Sequence, residues 1–241
     1  MLRYIDHKLM GRGKKDWLES HFHFSFADYR NPDNVQFGAL RVLNDDTVKA
    51  GGGFGPHPHK NMEIISYVIE GELTHGDTMG NRRTLKRGEA QYMSAGKGVL
   101  HSEMNLGKTP LRFLQIWIIP DQSGYAPNYG DYQFEFEDRR DRWLAIASCV
   151  DNAKTDAPIR IHQDVNLYAT ALSAGKTIDF EIKTGRQAYL VLIEGAALVT
   201  AKTSGEKATL NERDAAEIAN EGVSIKAQGE AHALIIEMKK S

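Results

Sequence analysis

Apolar residues in this chain fall in short runs bounded by glycine, proline and small polar residues, and their spacing follows a period of two. His21 and His23 alternate with Phe22, Phe24 and Phe26, which predicts a strand. Asn31-Pro32-Asp33-Asn34 predicts a turn, Phe37 to Leu43 a strand, and Asn44-Asp45-Asp46 a further turn. Gly51 to Gly55, with four glycines in five residues, predicts irregular backbone passing close to something or bending at a barrel rim. Glu63 to Glu70 (EIISYVIE) is rich in β-branched residues, and Glu72 to Asp77 follows after Gly71. A turn at Met79-Gly80-Asn81-Arg82 leads to runs at Thr84–Lys86, Gln91–Ser94 and Leu111–Ile119, the last ended by Pro120. No amphipathic helix of usual length is predicted before residue 120. Many short strands with glycine-rich turns predict an all-β sandwich or barrel.

Residues 121–142 are polar, aromatic and charged, which predicts a surface connector with Asp138 to Arg142 (DRRDR) as a solvated, self-neutralising cluster. Strand-like runs then resume and the chain repeats itself. SYVIEGEL at 66–73 matches AYLVLIEGAAL at 188–198, and LKRGEA at 85–90 matches LNERDAA at 210–216, at offsets of 124 and 125 residues. Two β-barrels of one kind are expected, over 1–136 and 137–241. Counting back from Gly195 as from Gly71, the places of His57, His59 and Glu63 fall on Glu181, Lys183 and Gln187, and that of His101 near Ile225. The second barrel carries no imidazole pair.

The length of 241 residues allows one large domain or two small ones, and a net charge of −2 gives no global pull toward nucleic acid or an anionic membrane. The single cysteine, Cys149, excludes an internal disulfide. The N-terminus lacks an apolar signal-peptide core, and no segment approaches the roughly 20 apolar residues of a membrane span. The expectation is a cytoplasmic, monomeric protein that binds neither nucleic acid nor membrane.

The chemistry concentrates between Gly51 and Asn105. His57 and His59 lie two residues apart, as do His101 and Glu103, so each pair shares one face of a strand. Two such strands facing each other inside a barrel would bring three imidazoles and a carboxylate to one point. That donor set suits Fe, Mn, Ni, Cu or Zn; it holds no thiolate for a soft ion and too few oxygens for Ca. His57, His59, His101 and Glu103 are the expected metal ligands. Glu63 shares the parity of His57 and His59 and reads either as an inward ligand or as an acceptor for a ligand imidazole N–H. His7, His21, His23, His75, His162 and His232 are expected to be hydrogen-bonded structural residues.

GFGPHPHKNMEIISYVIEG and GEAQYMSAGKGVLHSEMN resemble the two cupin motifs. Together with SHFHFSFADY, FGALRVLNDD, DTMGN and LQIWI they resemble the pirin family, and especially its short bacterial branch. The resemblance implies an all-β bicupin with a metal in the N-terminal barrel alone, held by His57, His59, His101 and Glu103, with Fe(II) the expected ion. It also implies quercetin 2,3-dioxygenase activity, in which dioxygen opens the central ring of a flavonol and carbon monoxide is lost. Such a site would hold a flavonol by its 3-hydroxyl and 4-carbonyl oxygens, with Glu103 accepting the hydroxyl proton as general base. The alternative implied by eukaryotic relatives is a non-catalytic metal-binding redox sensor or regulator that binds a partner protein. A deep apolar pocket above the metal would favour the enzyme; a flat open site would favour the sensor.

Overall fold

The computed structural model describes residues 1–152 and 155–240. In chain order the strands are β1 (Leu2–Ile5), β2 (Gly11–Lys14), β3 (Leu18–Phe22), β4 (Leu40–Val48), β5 (Gly53–His59), β6 (Glu63–Glu70), β7 (Leu73–Asp77), β8 (Arg82–Leu85), β9 (Ala90–Ser94), β10 (Val99–Met104), β11 (Leu111–Ile118) and β12 (Asn128–Tyr132). They continue as β13 (Leu144–Cys149), β14 (Ile159–Ile161), β15 (Val165–Leu172), β16 (Thr177–Phe180), β17 (Arg186–Glu194), β18 (Ala196–Ala201), β19 (Lys207–Asn211), β20 (Ala215–Ala219), β21 (Val223–Ala227) and β22 (Ala231–Lys239). Helix is confined, among the described residues, to single 3-10 turns at His7–Leu9 and Phe136–Arg139, and none is long and apolar enough to cross a membrane.

These strands form two units, each an all-β barrel of two sheets. The first unit, Met10–Glu135 with Ile161–Gln163, has a seven-stranded sheet β12-β9-β6-β11-β4-β3-β2 and a four-stranded sheet β5-β10-β7-β8. The second has a seven-stranded sheet β1-β20-β17-β22-β15-β13-β14 and a four-stranded sheet β16-β21-β18-β19. The order β9-β6-β11-β4 recurs as β20-β17-β22-β15, and β5-β10-β7-β8 as β16-β21-β18-β19, so the repeat in the sequence is a repeat of architecture. Its shared Glu-Gly has a steric cause. Gly71 and Gly195 have φ of +76° and +83°. A Cβ at either would collide with a backbone carbonyl, of Pro110 or Glu230.

The chain's first residues depart from a division into 1–136 and 137–241. β1 pairs antiparallel with β20, Leu2 opposite Ile218 and Ile5 opposite Ala215, so residues 1–9 fold with the second unit. Leu2 packs against that unit's core, a long-range contact that local pattern does not reveal.

Four other expectations change. Asn44-Asp45-Asp46 is no turn: all three are buried in the middle of β4. The glycine-rich segment is partly regular, since β5 begins at Gly53. The connector contains β12, which pairs with β9 through Asn128 opposite Ser94 and Tyr132 opposite Ala90. Within DRRDR, Arg139 is fully buried and lies 5.1 Å over the Phe136 ring, while Arg140 pairs at the surface with Glu137 and Glu230. The alternation of His21 and His23 with phenylalanines is real, but His21, His23, Phe22 and Phe24 are all buried, because both sides of that segment are covered, and Phe26 is half-buried.

In the first barrel the inner face of the large sheet is layered, as the register shows. Leu18, Val48 and Leu111 lie side by side at one end, and Val42, Trp117, Ile64 and Met93 at the other. Between them runs a row across five strands, Phe22, Asn44, Gln115, Ser66 and Gln91, directly opposite one another in turn. Directly opposed residues share a face, so four polar side chains sit together between two apolar clusters. The second barrel has no such layer at the corresponding place: Leu190 lies between Ile235 and Ala216, and all three belong to an apolar core. The register, with Val223 opposite Ala201 as His101 is opposite Asp77, sets Val223 in the place of His101 and its partner Phe180, rather than Glu181, in the place of His57.

Candidate metal centre and cavity

β5 and β10 pair antiparallel, with His101 opposite His57 and Glu103 opposite Phe54. Along β5 burial alternates, His57 and His59 half-buried and Pro56, Pro58 and Lys60 exposed. Along β10, His101 and Glu103 are buried and Leu100 is exposed. The register shifts between His101 and Glu103, with the extra residue on β5 between Phe54 and His57, and β5 bends at this point. Gly53 lets the two backbones approach: its φ is +150°, and a Cβ there would lie 2.5 Å from the Glu103 carbonyl oxygen.

The structure brings His57, His59 and His101 together, with one ring nitrogen from each lying within 4.8 Å of the others. Ring centroids are 4.5 Å apart for His57 and His101, 4.8 Å for His57 and His59, and 4.9 Å for His59 and His101. His57 Nδ1 lies 2.8 Å from the Gly55 carbonyl, which can only accept, so Nδ1 carries the proton and Nε2 presents its lone pair. That Nε2 faces His101 Nε2 at 3.1 Å. Burial, then the neighbouring imidazoles, lowers the pKa of His101 to about 3 and of His59 to about 4. Both are neutral at pH 7, the state in which an imidazole binds metal. His101 Nδ1 is buried with no hydrogen-bond partner. Three convergent imidazole nitrogens fit a divalent metal ion.

Glu103 is not part of that trio. Its carboxylate Oε1 accepts hydrogen bonds from Ser66 Oγ and Gln91 Nε2, and Oε2 accepts one from Gln115 Nε2. These three donors belong to the polar row of the opposite sheet. A carboxylate has about four lone-pair sites, so one on Oε2 is left for a cation or a proton. Glu63 is directed elsewhere: Oε1 accepts from Ser94 Oγ at 2.7 Å and lies 3.3 Å from His162 Nδ1.

The remaining histidines have local partners. His75 Nε2 lies 2.9 Å from Asp77 and its ring stacks on Tyr129 at 4.4 Å, while His232 Nδ1 lies 3.1 Å from Glu194. A second group of possible ligands, Asp6, His7 and Asp214, lies in the other barrel. There the Asp214 carboxylate already accepts from Tyr4 Oη, the His7 and Asn211 backbone N–H groups and the His7 ring, which makes it a hydrogen-bonded corner.

His57, His59 and Glu103 line a cavity of about 630 Å³ in the first barrel, within the usual range for small-molecule sites. Its walls are aromatic, from Phe22, Phe26, Phe54 and Trp117, and Trp117 meets His59 edge-on at 4.7 Å. Arg12, Lys14 and Lys15 lie at its exposed mouth with Asp28. Sequence reasoning did not single out Ser66, Gln91, Gln115, Asn44 or Asp46. A signal existed for two of them: Ser66 interrupts EIISYVIE and Gln115 interrupts LRFLQIWII, and a polar residue inside an apolar strand needs a buried partner.

A two-barrel all-β chain with a histidine trio in one barrel and an apolar core at the equivalent place in the other is a bicupin with one candidate metal centre. The chain belongs to the pirin family: residues 6–118 match the family Pirin and residues 145–238 match the quercetinase C-terminal cupin domain. It is 37% identical over 232 residues to a quercetin 2,3-dioxygenase of Escherichia coli K12, covering 95% of this chain and 94% of that one. It is 40% identical over 214 residues to a pirin-like protein of Caulobacter vibrioides, covering 89% of each. Among solved structures, the bacterial pirin YhhW of Escherichia coli in complex with nickel(II) superposes with a TM-score of 0.89 at 34% identity, over 100% of both chains.

Proposed function

We propose that this protein is a metal-dependent dioxygenase that cleaves flavonols such as quercetin, with His57, His59, His101 and Glu103 as ligands and Fe(II) as the working ion. The observation that carries this reading is the aromatic-walled cavity that has two of the three histidines in its lining. A planar polyphenol has the shape and the π faces to fill such a space. A divalent ion bound there supplies Lewis acidity that eases ionisation of a chelated hydroxyl.

The chain's own residues do the rest. The one free lone pair of Glu103, on Oε2 beside the Gln115 amide that orients it, either holds the ion or accepts the proton of the flavonol 3-hydroxyl. Phe22, Phe54 and Trp117 hold the ring system and exclude water. Arg12, Lys14 and Lys15 make no ion pair among the described residues and favour an acidic phenol at the entrance. A concave, aromatic-walled cavity speaks for a small molecule over a sensor that meets a partner protein on a flat face.

The test is oxygen uptake with quercetin after loading with Fe(II), with Glu103→Ala alongside. Metal-dependent uptake with carbon monoxide release, lost in the variant while metal is retained, supports the assignment. A fully metallated protein inert with Fe, Mn, Ni and Cu overturns it.

A further inference from the structure

The mechanism leaves two buried polar side chains of the cavity unused. Asn44 and Asp46 lie on β4, two residues apart, and both line the cavity. Each is 2% exposed, and the Oδ1 atom of each is buried with no hydrogen-bond partner. Asp45 between them faces the other way and pairs with Arg112 through Nε and Nη2. Ser20, directly across from Asp46, hydrogen-bonds its carboxyl group. Asn44 stands next to Gln115 in the polar row, yet Glu103 takes its hydrogen bonds from Gln115, Ser66 and Gln91 and none from Asn44.

A buried acceptor left without a hydrogen bond pays its desolvation uncompensated. Two of them side by side on the wall of a small-molecule cavity call for a ligand group to complete them. We propose that Asn44 and Asp46 form a second polar subsite of the cavity, which binds phenolic hydroxyl groups other than the pair that meets the metal centre. This rests on the small-molecule reading of the cavity and deepens it to polyhydroxylated aromatic substrates. A hydroxyl both donates and accepts, so it serves an amide and a carboxyl group in either protonation state. Phe22 on one side of Asn44 and Phe113 on the other side of Asp46 give the pair an apolar frame that suits a ring-borne hydroxyl.

Calorimetric titration of the nickel-loaded protein without oxygen tests this with two probes, quercetin and 3-hydroxyflavone. Both carry the chelating 3-hydroxyl and 4-carbonyl; quercetin alone has further hydroxyls. The wild type is expected to bind quercetin about tenfold more tightly, the worth of one or two well-made hydrogen bonds. Asn44→Leu and Asp46→Leu each abolish most of that preference and leave 3-hydroxyflavone affinity and nickel binding unchanged, and Asp46→Asn retains it. If Asp46→Leu does not fold, Asn44→Leu decides. A preference that survives Asn44→Leu overturns the subsite and leaves the flavonol reading in place. Failure of the nickel-loaded wild type to bind either probe overturns both.

Discussion

His57 Nε2 and His101 Nε2 face each other at 3.1 Å across the β5–β10 pair, with the His57 proton held on the far side of its ring by the Gly55 carbonyl. Such an arrangement is stabilised by a cation that both lone pairs can share. His101→Ala is expected to abolish nickel binding measured by calorimetry. The wild type at a free metal concentration a hundredfold above Kd gains about 2.7 kcal/mol of stability. The variant's melting temperature should not respond to metal.

Gln115 and Glu103 form the bond that ties the polar row of one sheet to the catalytic candidate on the other. Gln115→Leu removes that donor from a buried site of nearly equal volume. Loss of an orienting partner of this kind typically costs about 10–100-fold in metal affinity or activity. Steady-state oxygen uptake should show the loss in kcat, with strand content by circular dichroism unchanged.

Gly53 sits where β5 passes closest to β10. Gly53→Ala places a Cβ 2.5 Å from the Glu103 carbonyl oxygen on a backbone at φ +150°. Strain at such a position costs on the order of 1–3 kcal/mol, and it is relieved only by parting the two strands that carry the histidines. Chemical denaturation should show the lower stability, and nickel affinity should fall in the same variant.

Arg112 and Asp45 form a buried pair on the outer face of the β4–β11 ladder, 2.6 Å apart at their closest atoms. Arg112→Met removes the guanidinium from the buried Asp45 carboxylate and is expected to destabilise the protein by about 3–5 kcal/mol. The double variant Arg112→Met with Asp45→Leu should recover much of the loss, since the cost lies in a buried carboxylate that has lost its guanidinium. Urea melts of the three proteins measure both steps.

Burial, the dominant cause, pushes the Asp46 carboxyl up to about 7, with the charges of Asp45 and Glu103 acting in the same direction and the Ser20 hydrogen bond opposing. The usual value is 3.8. Between about pH 4 and pH 7 the folded state therefore keeps a proton that the unfolded state has released. Stability from this group is full below the unfolded value and falls as pH rises through the folded one. The slope is at most one proton, about 1.4 kcal/mol per pH unit. Denaturation midpoints of wild type and Asp46→Asn across this range should converge at low pH, with the wild type falling behind as pH rises.

Much of this was legible in one dimension. The period of two placed EIISYVIE in a strand with the bounds Glu63–Glu70, and it put His57 with His59, and His101 with Glu103, on common faces. The Glu-Gly repeat announced two barrels of one design because a left-handed residue against a neighbouring carbonyl admits little but glycine. Asn44-Asp45-Asp46 misled for an equally physical reason. Three polar residues in a row normally seek water in a turn, and these are held in a strand by Arg112, Ser20 and the cavity.

Strand alternation is a local property, so the sequence by itself determined which side chains share a face, that the chain is all-β and doubled, and that one half carries the imidazoles. Register between strands is a long-range property, and the tertiary structure alone decided it. It set Gln115 beside Asn44 and Ser66, turned Glu103 toward three donors on another sheet, and carried β1 across to β20. Those pairings depend on packing between residues far apart in the chain, where each polar group finds a partner or is left facing a cavity.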